Sequence, residues 1–139
     1  MLSELQFTEA RNQFSTLYDS VYNSFNPAIV KRKQSEQVAM LRVDLLKMVL
    51  EDYKLKPEVI QEDDGSITLA LDSLEIYANN STSDLAAKDL IEDLKIYAKD
   101  YLDRSQLFFH APNRKSHFPY ILKILLCDND LEILTLLGL

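Results

Sequence analysis

Glycine is almost missing from this 139-residue chain, with Gly65 and Gly138 the only two. Neither G-x-G-x-x-G nor G-x-x-x-x-G-K can be written with them, which excludes cofactor folds built on a glycine-rich phosphate loop. Cysteine is scarcer still. Cys127 stands alone, so no intramolecular disulfide is available and a single thiol fits a reducing compartment. Long apolar runs are also lacking: Ile124–Cys127 and Ile133–Leu137 are far too short to span a bilayer. Met1–Gln6 has no basic stretch leading into an apolar run, so no signal peptide is expected. What remains is 47% hydrophobic and 27% charged, the balance of a folded chain rather than a disordered one. The length allows one domain or two small lobes. The expectation is a soluble, cytoplasmic, largely helical protein.

The net charge of −7 argues at first against a nucleic-acid partner, but it is unevenly shared. Residues 1–56 carry +1 and residues 57–139 carry −8. Within the first part, Ala28–Arg42 holds Lys31, Arg32, Lys33 and Arg42 against Glu36 alone, a local +3. A basic segment followed by an acidic half points to two partners of opposite charge, or to two solvated faces.

Periodicity divides the chain into elements. Leu2–Phe7 reads as extended, and Thr8 as the N-cap of a helix running to Asn23. Ala10, Phe14, Leu17, Tyr18, Val21 and Tyr22 form its single buried stripe. Ser24–Pro27 breaks it, since the residue before proline is pushed out of the α region. Ala28–Lys33 and Gln37–Val43 are two strands joined by a polar turn without Asn-Gly or Asp-Gly. Asp44 caps a second helix with Leu45, Met48, Val49 and Tyr53 on one face, ending before Pro57. The acidic stretch Glu58–Gly65 ends in an Asp-Gly turn and reads as a lobe boundary. Ile67, Leu69 and Leu71, then Leu74, Ile76 and Ala78, alternate as two strands.

Ser81–Asp84 resembles a capping box. The long helix after it turns Ala87, Leu90, Ile91, Leu94, Tyr97, Ala98, Tyr101 and Leu102 inward, and Lys88, Glu92, Lys95 and Lys99 outward. Leu107–His110 reads as a short strand and Pro112–Ser116 as a polar loop. Tyr120–Cys127 and Leu131–Leu137 are helices, the last stopped by Gly138. The fold class is α+β: a strand-helix-hairpin-helix lobe over residues 1–57, then a second α+β lobe over 58–139 with two strands, a long helix and C-terminal helices.

No catalytic, metal or cofactor set is indicated. His110, His117 and Cys127 are spaced by seven and ten residues, which matches no usual zinc pattern, and a closed site needs four ligands. Arg104 with His110, and Arg114 with His117, are two pairings that offer a general acid–base beside a cation, as a ribonuclease needs. Asp63-Asp64 and Asp128/Asp130 sit at turns and a helix cap, where capping accounts for carboxylates.

The ordered residues of the first lobe carry a resemblance. Phe7-Thr8-Glu9-Ala10-Arg11-Asn12-Gln13-Phe14-Ser15, Ala28-Ile29-Val30-Lys31-Arg32 and Gln37-Val38-Ala39-Met40-Leu41 with Asp44 resemble the DNA-binding domain of the Phd/YefM antitoxins. In that family an Ala-Arg pair sits in the first helical turn and the first hairpin strand ends in a basic residue. The match covers roughly the first 55 residues. The turn has no glycine where the family often has one, and many members carry a shorter tail. The second lobe is faintly similar to HicB-like antitoxin domains.

The resemblance implies an antitoxin of a type II toxin–antitoxin system. Such a protein is a homodimer that represses its own operon on operator DNA and neutralises a cognate toxin by direct binding. Arg11 and Arg32 carry over as DNA contacts, with Lys31 and Lys33 beside them. The alternative for the two lysines is edge-strand protection, and for Arg11 an ion pair with Glu9. Alternation puts Lys31 and Lys33 on one face and Arg32 on the other. The acidic lobe would suit a basic, RNA-directed toxin. Its candidate contacts are Asn113, Arg114 and His117 in the polar loop and Leu131 and Leu134 in the last helix, each equally readable as core or rim. A stand-alone transcriptional regulator with a sensing second lobe is the other reading, and the ribonuclease a third.

Overall fold

Strand β1 (Ser3–Gln6) pairs in parallel with β2 (Ala28–Arg32), Leu5 opposite Val30, and β3 (Glu36–Met40) adds antiparallel to β2, Val38 opposite Val30. A parallel pair cannot be closed by a tight turn, so the segment between β1 and β2 makes a helical crossover. The computed structural model describes residues 1–139 and divides into two compact units, Met1–Val49 and Leu50–Leu139.

In the first unit the crossover is two helices, α1 (Phe7–Asn12) and α2 (Phe14–Asn23), where the sequence suggests one. Gln13 leaves helical geometry at φ −120° and ψ 31°, and Thr8 lies inside α1, whose N-cap is Gln6 with no side-chain cap. The expected single stripe is also two. Ala10, Leu17 and Val21 bury with Ala28 against Leu5, Val30 and Met40. Phe14, Tyr18 and Tyr22 stand one position round the helix and remain 56, 51 and 51% exposed. The hairpin turn has no glycine, and Lys33 takes the left-handed conformation (φ 58°) in its place. The second strand stops at Met40, before helix α3 (Val43–Val49). Asp44 sits inside α3 and accepts the Leu45 N–H at 3.0 Å.

The second unit begins with Leu50 and Leu55, both buried. It contains a strand the sequence reading lacks, β4 (Glu58–Gln61), which opens an antiparallel meander with β5 (Ile67–Leu71) and β6 (Ile76–Asn80) in the order β4-β5-β6. Asp64-Gly65 therefore closes a hairpin instead of separating lobes. Gly65 adopts φ 85°, a left-handed position favouring glycine, and the Asp64 carboxylate accepts the Ser66 N–H at 2.9 Å.

Helix α4 (Ser83–Asp103) follows, capped by Thr82, whose Oγ1 accepts the Leu85 N–H at 3.2 Å. It buries Ala86, Leu90, Leu94, Ala98 and Tyr101 against Leu69, Leu71, Leu74 and Ala78, while Leu102 turns outward. Residues 105–110 form helix α5 (Ser105–His110) rather than a strand. Arg104 breaks α4 at φ −122°, and the Phe108 ring stacks on Tyr101 at 5.1 Å. A 3-10 turn at Lys115–His117 leads into α6 (Phe118–Leu125), with proline in its first turn, and α7 (Asp130–Leu137).

The α7 cap is Asn129, not an aspartate: its Oδ1 accepts the Glu132 N–H at 3.0 Å, and the Glu132 carboxylate accepts the Asp128 N–H at 2.8 Å. Gly138 (φ 71°) ends α7 as expected, with Leu139 N–H closing on the Leu134 carbonyl at 3.2 Å.

Leu90 is fully buried where α4 meets β5 and β6. Leu90→Ala is expected to cost about 3 kcal/mol of unfolding free energy in urea denaturation. A loss below roughly 1 kcal/mol would show that this contact is not the centre of the second core.

Candidate functional site

The basic residues expected to meet DNA lie at the hairpin end of β2 and in α1. Antiparallel pairing sends alternate β2 side chains to opposite faces. Arg32 lies on the face carrying α1, with its guanidinium 3.9 Å from the centroid of the Phe7 ring. Lys31 lies on the other face and pairs with Glu4 at 3.0 Å. Lys33 is the turn residue. Arg11 is exposed and stands in the last turn of α1, not the first as the resemblance implies, because α1 starts at Phe7 and stops at Asn12.

An aromatic surface borders this unit. Phe14 and Tyr18 approach at 6.4 Å between ring centroids, and Tyr18 and Tyr22 stack at 6.3 Å. Arg42, which the sequence marks only as part of the basic segment, holds the end of this surface in place. Its guanidinium lies 4.1 Å from the Tyr22 centroid and 4.0 Å from Phe25, a residue in the left-handed region at φ 56°. It also donates to the Tyr22 carbonyl at 2.8 Å and to Asp44 Oδ1 at 3.0 Å. The Arg42 hydrogen bond holds the Asp44 carboxyl below its ordinary range.

In the second unit the loop candidates separate. Asn113 is exposed, Arg114 is half-buried, and His117 is inside, 4% exposed. His117 is thus part of the core's rim, not a surface contact. Its Nδ1 shares a hydrogen bond with the Tyr97 hydroxyl at 2.7 Å, and Arg114 Nη1 donates to the same hydroxyl at 3.3 Å. The Tyr101 hydroxyl donates to the Arg114 carbonyl at 3.0 Å, fixing the loop. Burial and then the neighbouring Arg114 charge hold His117 below its ordinary value, against a smaller opposing pull from Glu75.

The histidine–arginine pairs considered for acid–base work are engaged separately. Arg104 forks onto Asp100 at 2.9 and 2.6 Å, and His110 sits in α5 against Phe109. His110, His117 and Cys127 do not assemble: His117 faces Tyr97, and Cys127 Sγ lies 3.5 Å from the Lys123 carbonyl.

Leu131 is 71% exposed and Leu134 half-buried, and both line a groove of about 420 Å3 between α4 and α7. Lys95 bridges that groove by pairing with Glu92 on α4 and Asp130 on α7, each at 3.1 Å. A larger groove of about 730 Å3 runs between β6 and α4 on the other flank, which the sequence reading does not identify.

A family model described as PHD-like, antitoxin of toxin–antitoxin, RelE/RelB, TA system, matches residues 1–138. The chain belongs to this antitoxin family. The match takes in both units, where the resemblance read from sequence stopped near residue 55. The antitoxin is also similar to a crystal structure described as an antitoxin part of a proposed toxin/antitoxin system from Syntrophomonas wolfei subsp. wolfei. The two share 36% identity and a TM-score of 0.84, over 95% of this chain and 94% of the other. No curated protein matches. No helix of the antitoxin is long and apolar enough to cross a membrane.

The His117 environment has a measurable consequence. A histidine held low when folded takes up a proton more readily when unfolded, so stability is present above its ordinary value of 6.5 and is lost as pH falls from there toward the folded value. Asp44, Asp64 and Asp100 are also lowered, but from 3.8, so they act in a more acidic range. The urea midpoint is expected to fall between pH 7 and pH 5 in the wild type, and His117→Gln, which still offers Tyr97 an acceptor, is expected to flatten that slope. Equal slopes in the two proteins would exclude His117 as the source.

Proposed function

We propose that this antitoxin neutralises its cognate toxin by direct binding through the second unit and represses its own operon as a homodimer on operator DNA. The observation that carries the reading is the family match over residues 1–138, joined to the opposed charges of the two units.

The first unit reads as a Phd/YefM-type DNA-binding domain. Arg11 and Arg32 are its sequence-reading and phosphate contacts, with Lys31 and Lys33 adding positive charge at the hairpin. A fold that buries four side chains of its own and leaves an aromatic row bare favours pairing through that row. A twofold dimer would present each arginine twice and prefer a palindromic operator.

The second unit, rich in carboxylates, suits a basic toxin of the kind that works on RNA. Its candidate contacts are the exposed Asn113 and Leu131 and the half-buried Arg114 and Leu134.

Two measurements test the DNA half. Arg11→Ala with Arg32→Ala is expected to weaken binding to the DNA upstream of the reading frame at least tenfold, at about 1–3 kcal/mol for each arginine that reads a base. Unchanged gel shifts would remove these residues from the interface. Tyr18→Asp is expected to convert the protein from dimer to monomer in light scattering after size exclusion. A dimer of unchanged mass would move the interface elsewhere.

A further inference from the structure

The β6–α4 groove has an apolar floor made by Ile76 and Tyr77 of β6 with Ile96 and Tyr97 of α4. Tyr77 is 56% exposed and Ile96 65%. Ile96 is conspicuous because its outward neighbours along α4, Glu92, Asp93, Lys95 and Lys99, are all charged. The floor is rigid: the Tyr97 hydroxyl is held by His117 at 2.7 Å and Arg114 at 3.3 Å.

The rim carries Glu75, Asp93, Asp100 and Asp103 against Lys99 alone. Asp100 is neutralised by Arg104 and Asp103 by Lys99, at 2.6 and 2.8 Å. Glu75 and Asp93 form no ion pair and flank the bare isoleucine and tyrosine. A groove with an apolar centre and uncompensated negative charge at its edges repels nucleic acid and favours a cationic segment with an apolar anchor. The α4–α7 groove offers less, since two of its carboxylates, Glu92 and Asp130, are already held by Lys95.

We propose that the β6–α4 groove receives a cationic segment of the cognate toxin. One aliphatic or aromatic side chain of that segment sits between Ile96 and Tyr77, and its Lys or Arg residues face Glu75 and Asp93. The proposal rests on the toxin-binding reading above and names the surface that serves it.

The test uses the full-length antitoxin and the purified product of the adjacent reading frame, with binding measured by calorimetry and the mass of each antitoxin by light scattering. Ile96→Lys removes the anchor's seat and reverses the local charge, while its new ammonium can pair along α4 with Asp93 and Asp100, so the helix is not weakened. It is expected to reduce affinity at least tenfold, as loss of an anchoring pocket does. Tyr77→Ser, on an exposed strand position, is expected to act in the same direction. Asp93→Asn is expected to slow association and reduce its salt dependence. Val59→Lys, on the exposed edge strand β4 and outside both grooves, is expected to stay within about threefold of wild type, while Leu131→Lys probes the other groove.

If the wild type does not bind this product at all, the toxin-binding reading fails and the groove proposal with it. If the wild type binds but Ile96→Lys and Tyr77→Ser bind equally well, only the groove is overturned. Loss of binding in Leu131→Lys alone would transfer the site to the α4–α7 groove. Loss of self-association with toxin binding intact would assign the β6–α4 groove to a second copy of this chain.

Discussion

The second unit depends on one contact surface, the face of α4 laid across β5 and β6. Ala86, Leu90, Leu94 and Ala98 lie within 1% exposure on that face, and Leu69, Leu71 and Leu74 meet them from the sheet side. Alanines at either end of a pair of leucines let the helix sit close to the strands. Once that face is committed to the sheet, the remaining faces of the helix are decided. Ile91 and Ala87 turn toward α7, and Ile96 and Tyr97 turn toward the edge formed by β6. Both grooves of the unit are consequences of how one 21-residue helix is rotated on its sheet.

The first unit is governed by the opposite circumstance, too little interior. Its buried side chains are Ala10, Leu17, Val21 and Ala28, two of them alanines. Burial of this size leaves little stabilisation to set against the ordering of the chain. The aromatic residues that might enlarge the core instead form a row along α2, ordered by ring contacts and by Arg42, which grips Tyr22 and Phe25 from the end. Order in exposed rings is a different matter from disorder at a surface. A row fixed in advance loses less freedom on association, which is the energetic basis for treating it as an interface.

How much of this could be read from the chain varies with the length of the signal. Helix α4 carries its periodicity over more than five turns and starts at a capping signal, so most of its inward face was legible; Leu102 turns outward instead, and Ala86, absent from the reading, is fully buried. Gly138 was legible because a left-handed C-cap favours one residue type. The short elements were not. Phe7–Asn23 keeps helical spacing across Gln13, so nothing in the pattern announces the break. Phe14, Tyr18 and Tyr22 differ from Leu17 and Val21 by one position round a helix, and hydrophobicity does not say which of two adjacent stripes meets the sheet. Strand β4 was hidden because, as an edge strand, it carries the charge and polarity of a loop. Leu107–His110 became helical through the stacking of Phe108 on Tyr101, a contact between residues the sequence places on different elements. His117 looked like a loop residue for the same reason: its partner, Tyr97, lies on α4.

The basic hairpin shows how the same charge can be available or occupied according to which surface of the side chain is engaged. Lys31 pairs its ammonium with Glu4, which offsets part of the charge that a phosphate would meet there. Arg32 has no carboxylate partner, and its guanidinium carbon lies 3.9 Å from the centroid of the Phe7 ring. A cation–π contact places no carboxylate on the guanidinium, so its charge and its fork of N–H donors stay available to an acceptor. On the operator-binding reading, base recognition belongs to Arg32, whose donors no carboxylate holds, while Lys31 contributes to the field at the hairpin. The alternation of β2 reinforces the separation, since it places these neighbours on opposite faces of the sheet.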